Sequence, residues 1–253
     1  SLAEPWEPLY VNDSSIVSLS DIHIPYHDEV ALSAAMAYIK KLKPKTVLLN
    51  GDICDFYTIS RWDKDPRKRD FKMERKVCIE FLEWLRKEAG KNCRIIFKDG
   101  NHEERWTKYL WNRAPELSDE PELRLNNWLK LDNLGIEYVS EQRPVMCGDL
   151  AVFHGHELPK GLTNPVNMAR GAFLRMVDCV LVGHGHRSSS HTEPDWQKRE
   201  ITTWSQGCLC DMNPEFARIN KWNHGFALIK VMRDSTFNVE NFRISPDGVI
   251  RSS

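Results

Sequence analysis

Five short polar clusters, each placed directly after a run of apolar residues, constrain the fold of this chain more than any other feature. An apolar run that ends abruptly in Asp, His or Asn is typical of a buried β-strand. Because the carboxyl ends of parallel strands meet at one edge of a sheet, we expect a single parallel sheet to bring the clusters together there. In chain order they are Asp21-Ile22-His23, Gly51-Asp52-Ile53-Cys54-Asp55, Gly100-Asn101-His102-Glu103, His154-Gly155-His156 and Gly183-His184-Gly185-His186.

These clusters contain the ligands that a pair of divalent cations needs. Two cations about 3.5–4 Å apart repel each other unless an anion lies between them, so at least one carboxylate must bridge. Asp52 is the best candidate for the bridge. Imidazole suits Mn, Fe, Ni and Zn, whereas carboxylate and amide oxygens also accept harder ions. The pattern predicts two divalent transition-metal ions without selecting the element; we take Mn as the first candidate, with Fe, Zn or Ni as alternatives.

The ordered motifs DxH, GDxxD, GNHE, H and GHxH resemble those of the calcineurin-like metallophosphoesterase superfamily, over the segment from Asp21 to His186. A GNHEER-like third motif and a tryptophan-rich tail are also similar to those of bacterial and phage-encoded members. The resemblance implies an α/β fold, a four-layer αββα sandwich in which two packed mixed β-sheets are flanked by helices. It further implies a metal-dependent phosphoric ester hydrolase whose nucleophile is a hydroxide that bridges the two metals.

The same resemblance assigns roles residue by residue. His102 would contact the scissile phosphate and protonate the leaving oxygen, with Asp55 as its acidic partner. A histidine beside two cations would otherwise lose its proton, so a carboxylate partner is physically reasonable. His156 is expected to support its neighbour rather than to bind metal. One metal would be held by Asp21, His23, Asp52 and His186, and the other by Asp52, Asn101, His154 and His184.

The residues after the second motif bear on the substrate. Phosphoprotein phosphatases continue this motif as GDxxDRG, with an arginine that binds substrate phosphate, whereas Phe56 and Tyr57 follow Asp55 here. This departure argues against a protein phosphatase. None of the matched ligand positions is a tyrosine, which argues against the purple acid phosphatases.

Hydrophobic periodicity predicts alternating strands and helices in the first half of the chain. Asp28 can cap a helix that Pro44 stops, and further helices are expected over 71–89 and 164–176. Three strands at 136–139, 144–147 and 150–153 are separated by short turns only, and we expect them to belong to a second sheet. The other predicted strands are 16–19, 46–49, 94–97, 179–182, and an antiparallel set at 200–204, 226–231 and 237–240.

Length and charge are consistent with one enzyme domain. A chain of 253 residues can bury a single core, so residues 1–253 are expected to form one metallophosphoesterase domain. The formal net charge of −1 argues against a polycation that coats nucleic acid. Seven scattered cysteines, with no membrane-spanning run and no signal peptide, favour reduced thiols in a cytoplasmic protein. No obligate protein partner is evident.

Two segments are predicted to be insertions, at about 56–72 and 111–132. The first is basic and could draw in a phosphate-bearing polymer, or could equally be a solvated loop, and the second is expected to be a small helical cap. Aromatic rings can stack on nucleobases, although most tryptophans pack in cores. We expect exposed tryptophans beside arginines to bind substrate, which selects Arg61, Trp62, Arg105 and Trp106.

Three functions remain open after these arguments. The leading hypothesis is a phosphodiesterase acting on single-stranded nucleic acid or a nucleotide. The alternative is a phosphomonoesterase acting on a small metabolite or a protein. A non-catalytic scaffold of the same fold is less favoured, because such a role would not require every matched ligand position to be intact.

Overall fold

The strands form two mixed β-sheets in a computed structural model, which describes residues 6–61, 65, 70–140, 142–159 and 167–252. The seven-stranded sheet contains, in spatial order, β13 (Ile250–Ser252), β12 (Phe237–Ile244), β11 (His224–Val231), β2 (Ile16–Leu19), β3 (Thr46–Asn50), β4 (Arg94–Lys98) and β5 (Ile136–Val139). The six-stranded sheet contains β1 (Leu9–Val11), β6 (Val145–Cys147), β7 (Leu150–Phe153), β8 (Val180–Val182), β10 (Glu200–Ser205) and β9 (Ser189–Pro194).

Helices begin where polar side chains satisfy the free backbone N–H groups of the first turn. The carboxylate of Asp28 accepts from the N–H of Ala31 at 2.8 Å, as predicted. Asp70 caps the second helix and Asn167 the last one in the same way. The helices are α1 (Glu29–Leu42), α2 (Phe71–Ala89), α3 (Glu104–Arg113), α4 (Leu125–Trp128) and α5 (Met168–Met176).

Three buried apolar clusters show how these elements stack. Successive side chains of a strand point to opposite faces. Val47 and Leu49 on β3 therefore pack with α1 and α2, whereas Leu48 packs against the other sheet through residues such as Val152. A third cluster joins the outer face of the six-stranded sheet to α5. The order of layers is helix, sheet, sheet, helix, and the predicted four-layer αββα sandwich is confirmed.

Sheet membership differs from the prediction in three respects. Strand β10 was expected in an antiparallel set with β11 and β12, but it lies in the six-stranded sheet and pairs in parallel with β8. Strand β5 was expected in the second sheet, but it pairs in parallel with β4, with Ile136 opposite Ile95, at the edge of the seven-stranded sheet. The polar clusters follow β2, β3 and β4 of one sheet and β7 and β8 of the other. The expectation that one sheet carries all five clusters is therefore wrong, and the site lies where the carboxyl ends of parallel strands from both sheets meet.

The segment predicted to be a helical cap is made of short turns. Two 3₁₀ turns precede α4, and Leu125, Leu129 and Leu131 are buried in the core, while Trp111 and Leu117 are exposed. Residues 164–166, at the start of the last predicted helix, lie outside the described part of the chain. No helix among the described residues is long and apolar enough to span a bilayer.

Candidate metal centre

The ligands predicted for the first metal lie together at this junction. The Nε2 atom of His186 is 3.0 Å from Oδ1 of Asp21 and 3.3 Å from Nε2 of His23. Asp21, His23 and Asp52 each offer a ligand atom within 4.8 Å of the others. All four side chains are buried. The structure therefore brings this predicted set together.

The ligands predicted for the second metal share one carboxylate with the first set. Asp52, His154 and His184 also offer ligand atoms within 4.8 Å of one another. The Oδ2 atom of Asp52 lies 3.2 Å from Nε2 of His154 and 3.8 Å from Nε2 of His23. A single carboxylate oxygen thus faces a ligand from each set, which is the position that a bridging group requires.

Asn101 is placed at the same carboxylate by its neighbours. The N–H of His102 donates to Oδ1 of Asp52 at 2.9 Å, and a Cβ at Gly100 would come within 2.2 Å of that oxygen. The amide Oδ1 of Asn101 is buried and has no hydrogen-bond partner. A buried acceptor without a donor is costly, so a cation is the partner that this atom fits.

The other ligand atoms support the same conclusion. Nε2 of His154 and Oδ1 of Asp21 are buried and make no well-aligned hydrogen bond, although each has an oppositely charged neighbour within 3.2 Å. Two fully buried carboxylates, Asp21 and Asp52, stand side by side at the centre of the site. Buried charges persist only when they are paired or coordinate metal, so the donor set fits a pair of divalent cations.

Protonation shows how strongly this cluster attracts positive charge. Burial opposes ionisation of Asp52, but the imidazoles of His102 and His154 outweigh it and hold the pKa of Asp52 well below its usual range. Burial likewise opposes the charge on His154, yet the carboxylates of Asp52 and Asp21 raise the pKa of His154 to about 10. Protons on the imidazoles therefore neutralise the carboxylates when metal is absent.

The backbone is strained where the ligands project. Left-handed conformations cost a non-glycine residue about 1–3 kcal/mol and persist only when the surroundings fix them, often at functional sites. Gly51, just before one of these residues, has a positive φ of 83°, and a Cβ there would lie 2.6 Å from Nδ1 of His154. The ligands with φ between 53° and 61° are Asp21, His23, Asp52, His184 and His186.

Glu103 fixes the loop that carries Asp52, a role that the sequence did not reveal. Its Oε1 accepts from the backbone N–H groups of Ile53 and Cys54, and its Oε2 from those of Asp52 and Gly100, all at 2.8–2.9 Å. The side chain is fully buried. The sequence shows Glu103 directly after Asn101-His102, but this position does not indicate which groups its side chain contacts.

Asp55 contacts two histidines rather than the one expected. Its Oδ1 lies 3.1 Å from Nδ1 of His102, the predicted partner, and 3.0 Å from Nδ1 of His23. Although burial would raise the pKa of Asp55, hydrogen bonds from both imidazoles hold it well below its usual range. The carbonyl of Asp55 also accepts from Nδ1 of His102 at 2.8 Å. Asp55 therefore contacts both a predicted metal ligand, His23, and the predicted acid, His102.

A second network supports the loop of His154. Glu157 accepts from the N–H of His154 at 2.9 Å and pairs with the fully buried Lys98, also at 2.9 Å. His156 lies 2.9 Å from Oε1 of Glu104 and 3.2 Å from Oε2 of Glu157. His156 thus holds the loop to α3, in agreement with its expected supporting position.

The structure does not treat the four predicted substrate-binding residues alike: one contacts the site, one is buried, one is exposed and one is outside the described residues. Arg105 reaches the site, with Nη1 donating to the carbonyl of Asp55 and Nη2 lying 2.8 Å from Nε2 of His102. Trp106 was expected to be exposed, but it is 6% exposed and its ring centroid is 4.7 Å from that of Trp128. The Trp106 ring is buried against its neighbours, so it cannot stack on a substrate. Arg61 is exposed, and its role in substrate binding stays a prediction.

Trp62 lies outside the described residues, as do Lys64, Arg67, Lys68 and Arg69, whereas Lys72 is exposed in the first turn of α2.

An open cleft of about 310 Å³ adjoins His23 and His186. Its walls contain the aromatic residues Tyr26, Tyr57, Phe216 and Trp222, and the Trp222 ring meets His186 edge-on at a centroid distance of 4.2 Å. Sequence reasoning selected Trp62 and Trp106 and did not select Trp222. The polar residues of the lining are Asp55, Cys210, Asp211, Asn213, Glu215 and Arg218.

Comparison with known proteins gives matches in sequence. A family profile described as calcineurin-like phosphoesterase matches residues 14–204. The Gene 54 protein of Mycobacterium phage L5 is 30% identical over 229 residues, covering 85% of this chain and 88% of the phage protein. The Gene 54 protein of Mycobacterium phage D29 is 30% identical over 230 residues, with the same coverage.

Solved structures that match this chain share less sequence with it. Vacuolar protein sorting 29 from Cryptosporidium parvum has a TM-score of 0.49 at 15% identity, covering 96% of this chain and 97% of that one. Yfce, a phosphoesterase from E. coli, has a TM-score of 0.39 at 14% identity, covering 88% and 96%.

Proposed function

This chain belongs to the calcineurin-like phosphoesterase family, and from that premise we propose that it is a dinuclear-metal-dependent phosphodiesterase acting on nucleotides or nucleic acid. The observation that carries the proposal is the position of Asp52. One oxygen of this buried carboxylate lies 3.8 Å from Nε2 of His23 and 3.2 Å from Nε2 of His154. Asn101, whose buried amide oxygen has no hydrogen-bond partner, directly precedes His102, whose N–H donates to the same carboxylate.

The residues that would hold the metals are those predicted from the motifs: Asp21, His23, Asp52 and His186 for one ion, and Asp52, Asn101, His154 and His184 for the other. Two bound divalent cations would supply Lewis acidity towards the phosphate and activation of water at neutral pH. We assign Mn as the first candidate, with Fe, Zn or Ni as alternatives, because the ligands mix imidazole with hard oxygen donors.

His102 is the proposed general acid. Its Nδ1 donates to Asp55, which leaves Nε2 directed towards the metal cluster, 3.7 Å from Oδ2 of Asp52. Burial lowers the pKa of His102, but the carboxylates of Asp52 and Asp55 outweigh it and the net pKa is raised. Nε2 accepts from Nη2 of Arg105 at 2.8 Å in the metal-free protein, so we propose that the substrate phosphate takes over this guanidinium contact and that Nε2 then carries the proton given to the leaving oxygen. Arg105, beside Nε2, is the proposed phosphate contact.

The charge of the cleft favours a diester over a monoester. Among the described residues that line the cleft, Arg218 is the one lysine or arginine, against three carboxylates at Asp55, Asp211 and Glu215. A phosphomonoester carries close to two negative charges near neutral pH and a diester carries one, so the diester meets less repulsion. Phe56, at the position where phosphoprotein phosphatases have their arginine, is buried and provides no cation.

The test is parallel turnover of three substrates by the Mn-loaded protein. We expect bis(p-nitrophenyl) phosphate to be hydrolysed with a higher kcat/KM than p-nitrophenyl phosphate, and single-stranded DNA or a dinucleotide to be cleaved. Robust monoester hydrolysis without diester hydrolysis would replace the proposal with a phosphomonoesterase. No hydrolysis of any substrate with Mn, Fe, Zn or Ni would favour a scaffold.

A further inference from the structure

We propose that the cleft beside His23 and His186 is a nucleobase subsite, in which the rings of Tyr26, Tyr57, Phe216 and Trp222 hold the base of the substrate. The inference rests on the proposed phosphodiesterase function and assigns its substrate class to particular side chains.

The cleft lining contains two pairs of aromatic rings together with His23 and His186, two of the predicted metal ligands. The rings of Tyr26 and Tyr57 meet edge-on with a centroid distance of 5.8 Å. The rings of Phe216 and Trp222 are tilted, with centroids 6.2 Å apart, and the Trp222 ring contacts His186. A base bound here would therefore be adjacent to the phosphate-binding end of the site.

The size of the cleft suits a single nucleoside. Ligand pockets span about 300–1,000 Å³, and 310 Å³ is at the lower end of that range. Such a volume accommodates one ring system with its sugar. It is too small for a folded protein surface, and aromatic faces are the usual contact for an unstacked base.

The charges of the lining argue against a second phosphate and for a base. Asp55, Asp211 and Glu215 line the cleft with Arg218, so the described lining residues include more carboxylates than lysine or arginine side chains. Carboxylates accept hydrogen bonds from the exocyclic amino groups of bases. They would repel another phosphate unless a cation intervened. The combination of ring faces and acceptors matches the face and the edge of a nucleobase.

The segments that line the cleft are hydrogen-bonded before any ligand binds. The N–H of Asp211 donates to the carbonyl of Tyr26 at 2.8 Å, which joins two of the lining segments. The side chain of Asn220 accepts from the N–H of Trp222 and donates to the carbonyls of Met212 and Ala217. This bracing reduces the ordering cost that a base would otherwise have to overcome.

The experiment compares two phosphodiesters that share a leaving group. Thymidine 5′-(p-nitrophenyl phosphate) and methyl p-nitrophenyl phosphate differ in the nucleoside alone. We expect wild type to prefer the thymidine ester, and Phe216→Ala and Trp222→Ala to lower the ratio of the two kcat/KM values about tenfold, as loss of one stacking contact predicts. Phe216 is 82% exposed, so its replacement is compatible with folding. Trp196→Ala removes another exposed tryptophan, outside the cleft lining, and should leave the ratio unchanged.

A binding measurement separates this inference from the proposed activity. Calorimetry should show that the Mn-loaded protein binds thymidine 5′-monophosphate about tenfold more tightly than deoxyribose 5-phosphate, and that Phe216→Ala removes the difference. Equal ratios in wild type and both cleft variants, together with equal affinities for the two ligands, would overturn the subsite even if both esters are hydrolysed. A base-dependent affinity without hydrolysis would support the subsite and reject the phosphodiesterase.

Discussion

The loops that carry the predicted metal ligands and the cleft wall formed by residues 211–222 are held in different ways. In the ligand loops, one buried carboxylate, Glu103, accepts from four backbone N–H groups, and five ligands have left-handed backbones. In the wall, the side chain of Asn220 braces a segment whose Phe216 is 82% and Ile219 100% exposed.

This difference separates chemistry from selectivity. Metal ligation needs side chains held within fractions of an ångström, and most of the predicted ligands are buried on loops whose backbones are hydrogen-bonded, although His184 is exposed. A surface that selects substrates can gain affinity from exposed rings on a lightly braced loop. We therefore expect changes in the ligand loops to remove metal, stability or turnover, and changes in the wall to alter substrate affinity alone.

The largest effect is expected for Asp52→Asn. The amide cannot supply the negative charge that two cations share, so the protein should lose at least one metal and nearly all turnover. Elemental analysis and hydrolysis of bis(p-nitrophenyl) phosphate measure the two losses. Asp119→Asn, the same change at an exposed position, serves as the control. Full metal content in Asp52→Asn would refute the bridging assignment.

Asp55→Asn should affect both binding and chemistry. Loss of the carboxylate removes the partner of His102, with an expected fall in kcat of about 10²–10⁴-fold, and loosens His23, with metal affinity falling about 10–100-fold. His102→Ala should lower kcat while metal affinity stays near wild type. Calorimetric titration of both variants with metal measures the two affinities and distinguishes the roles of Asp55 and His102. Unchanged metal affinity in Asp55→Asn would mean that Asp55 serves His102 alone, as the sequence predicted.

Glu103→Gln should destabilise the fold itself. One carboxylate oxygen becomes an NH₂ group that faces two backbone N–H donors, at a cost of about 1–3 kcal/mol for each donor left unsatisfied. Urea unfolding of the metal-free protein measures the free energy without the contribution of bound metal. Glu116→Gln, on an exposed turn, should be neutral. A Glu103→Gln protein as stable as wild type would show that the four hydrogen bonds to Glu103 contribute little to the free energy of unfolding.

Metal affinity should rise with pH. In the metal-free protein the pKa of His154 is raised to about 10, so this imidazole is protonated at neutral pH and must release its proton to bind metal. Each unit of pH between 6 and 8 should then increase Mn affinity about tenfold, if one proton is displaced. Calorimetry in buffers of different ionisation enthalpy counts the protons. A pH-independent affinity would contradict the displacement.

The smallest effect is expected in the wall. Asn220→Ala removes the bracing of Trp222 and should raise KM for a nucleoside diester about three- to tenfold, the equivalent of about one hydrogen bond, with kcat unchanged. Asn112→Ala, at an exposed site on α3, is the matched control. A fall in kcat or in metal content would show that the wall and the ligand loops are not separable.

The amino-acid sequence by itself determined the local elements and the ligand types. Strands β2, β5 and β7 and helix α2 have the bounds that periodicity predicted, because alternation and capping are short-range effects. Strand β9 was missed because its sequence is polar and it lies at an edge of its sheet, where there is no apolar face to recognise.

Tertiary structure alone decided which sheet each strand joined and which polar groups met. The pairing of β5 with β4, the convergence of two sheets on Asp52, the burial of Trp106 and the contacts of Glu103 all depend on residues far apart in the chain. Sequence periodicity reports which face of an element is apolar but not what will cover it. Partners are selected by the packing of the whole core, and that selection is absent from any local pattern.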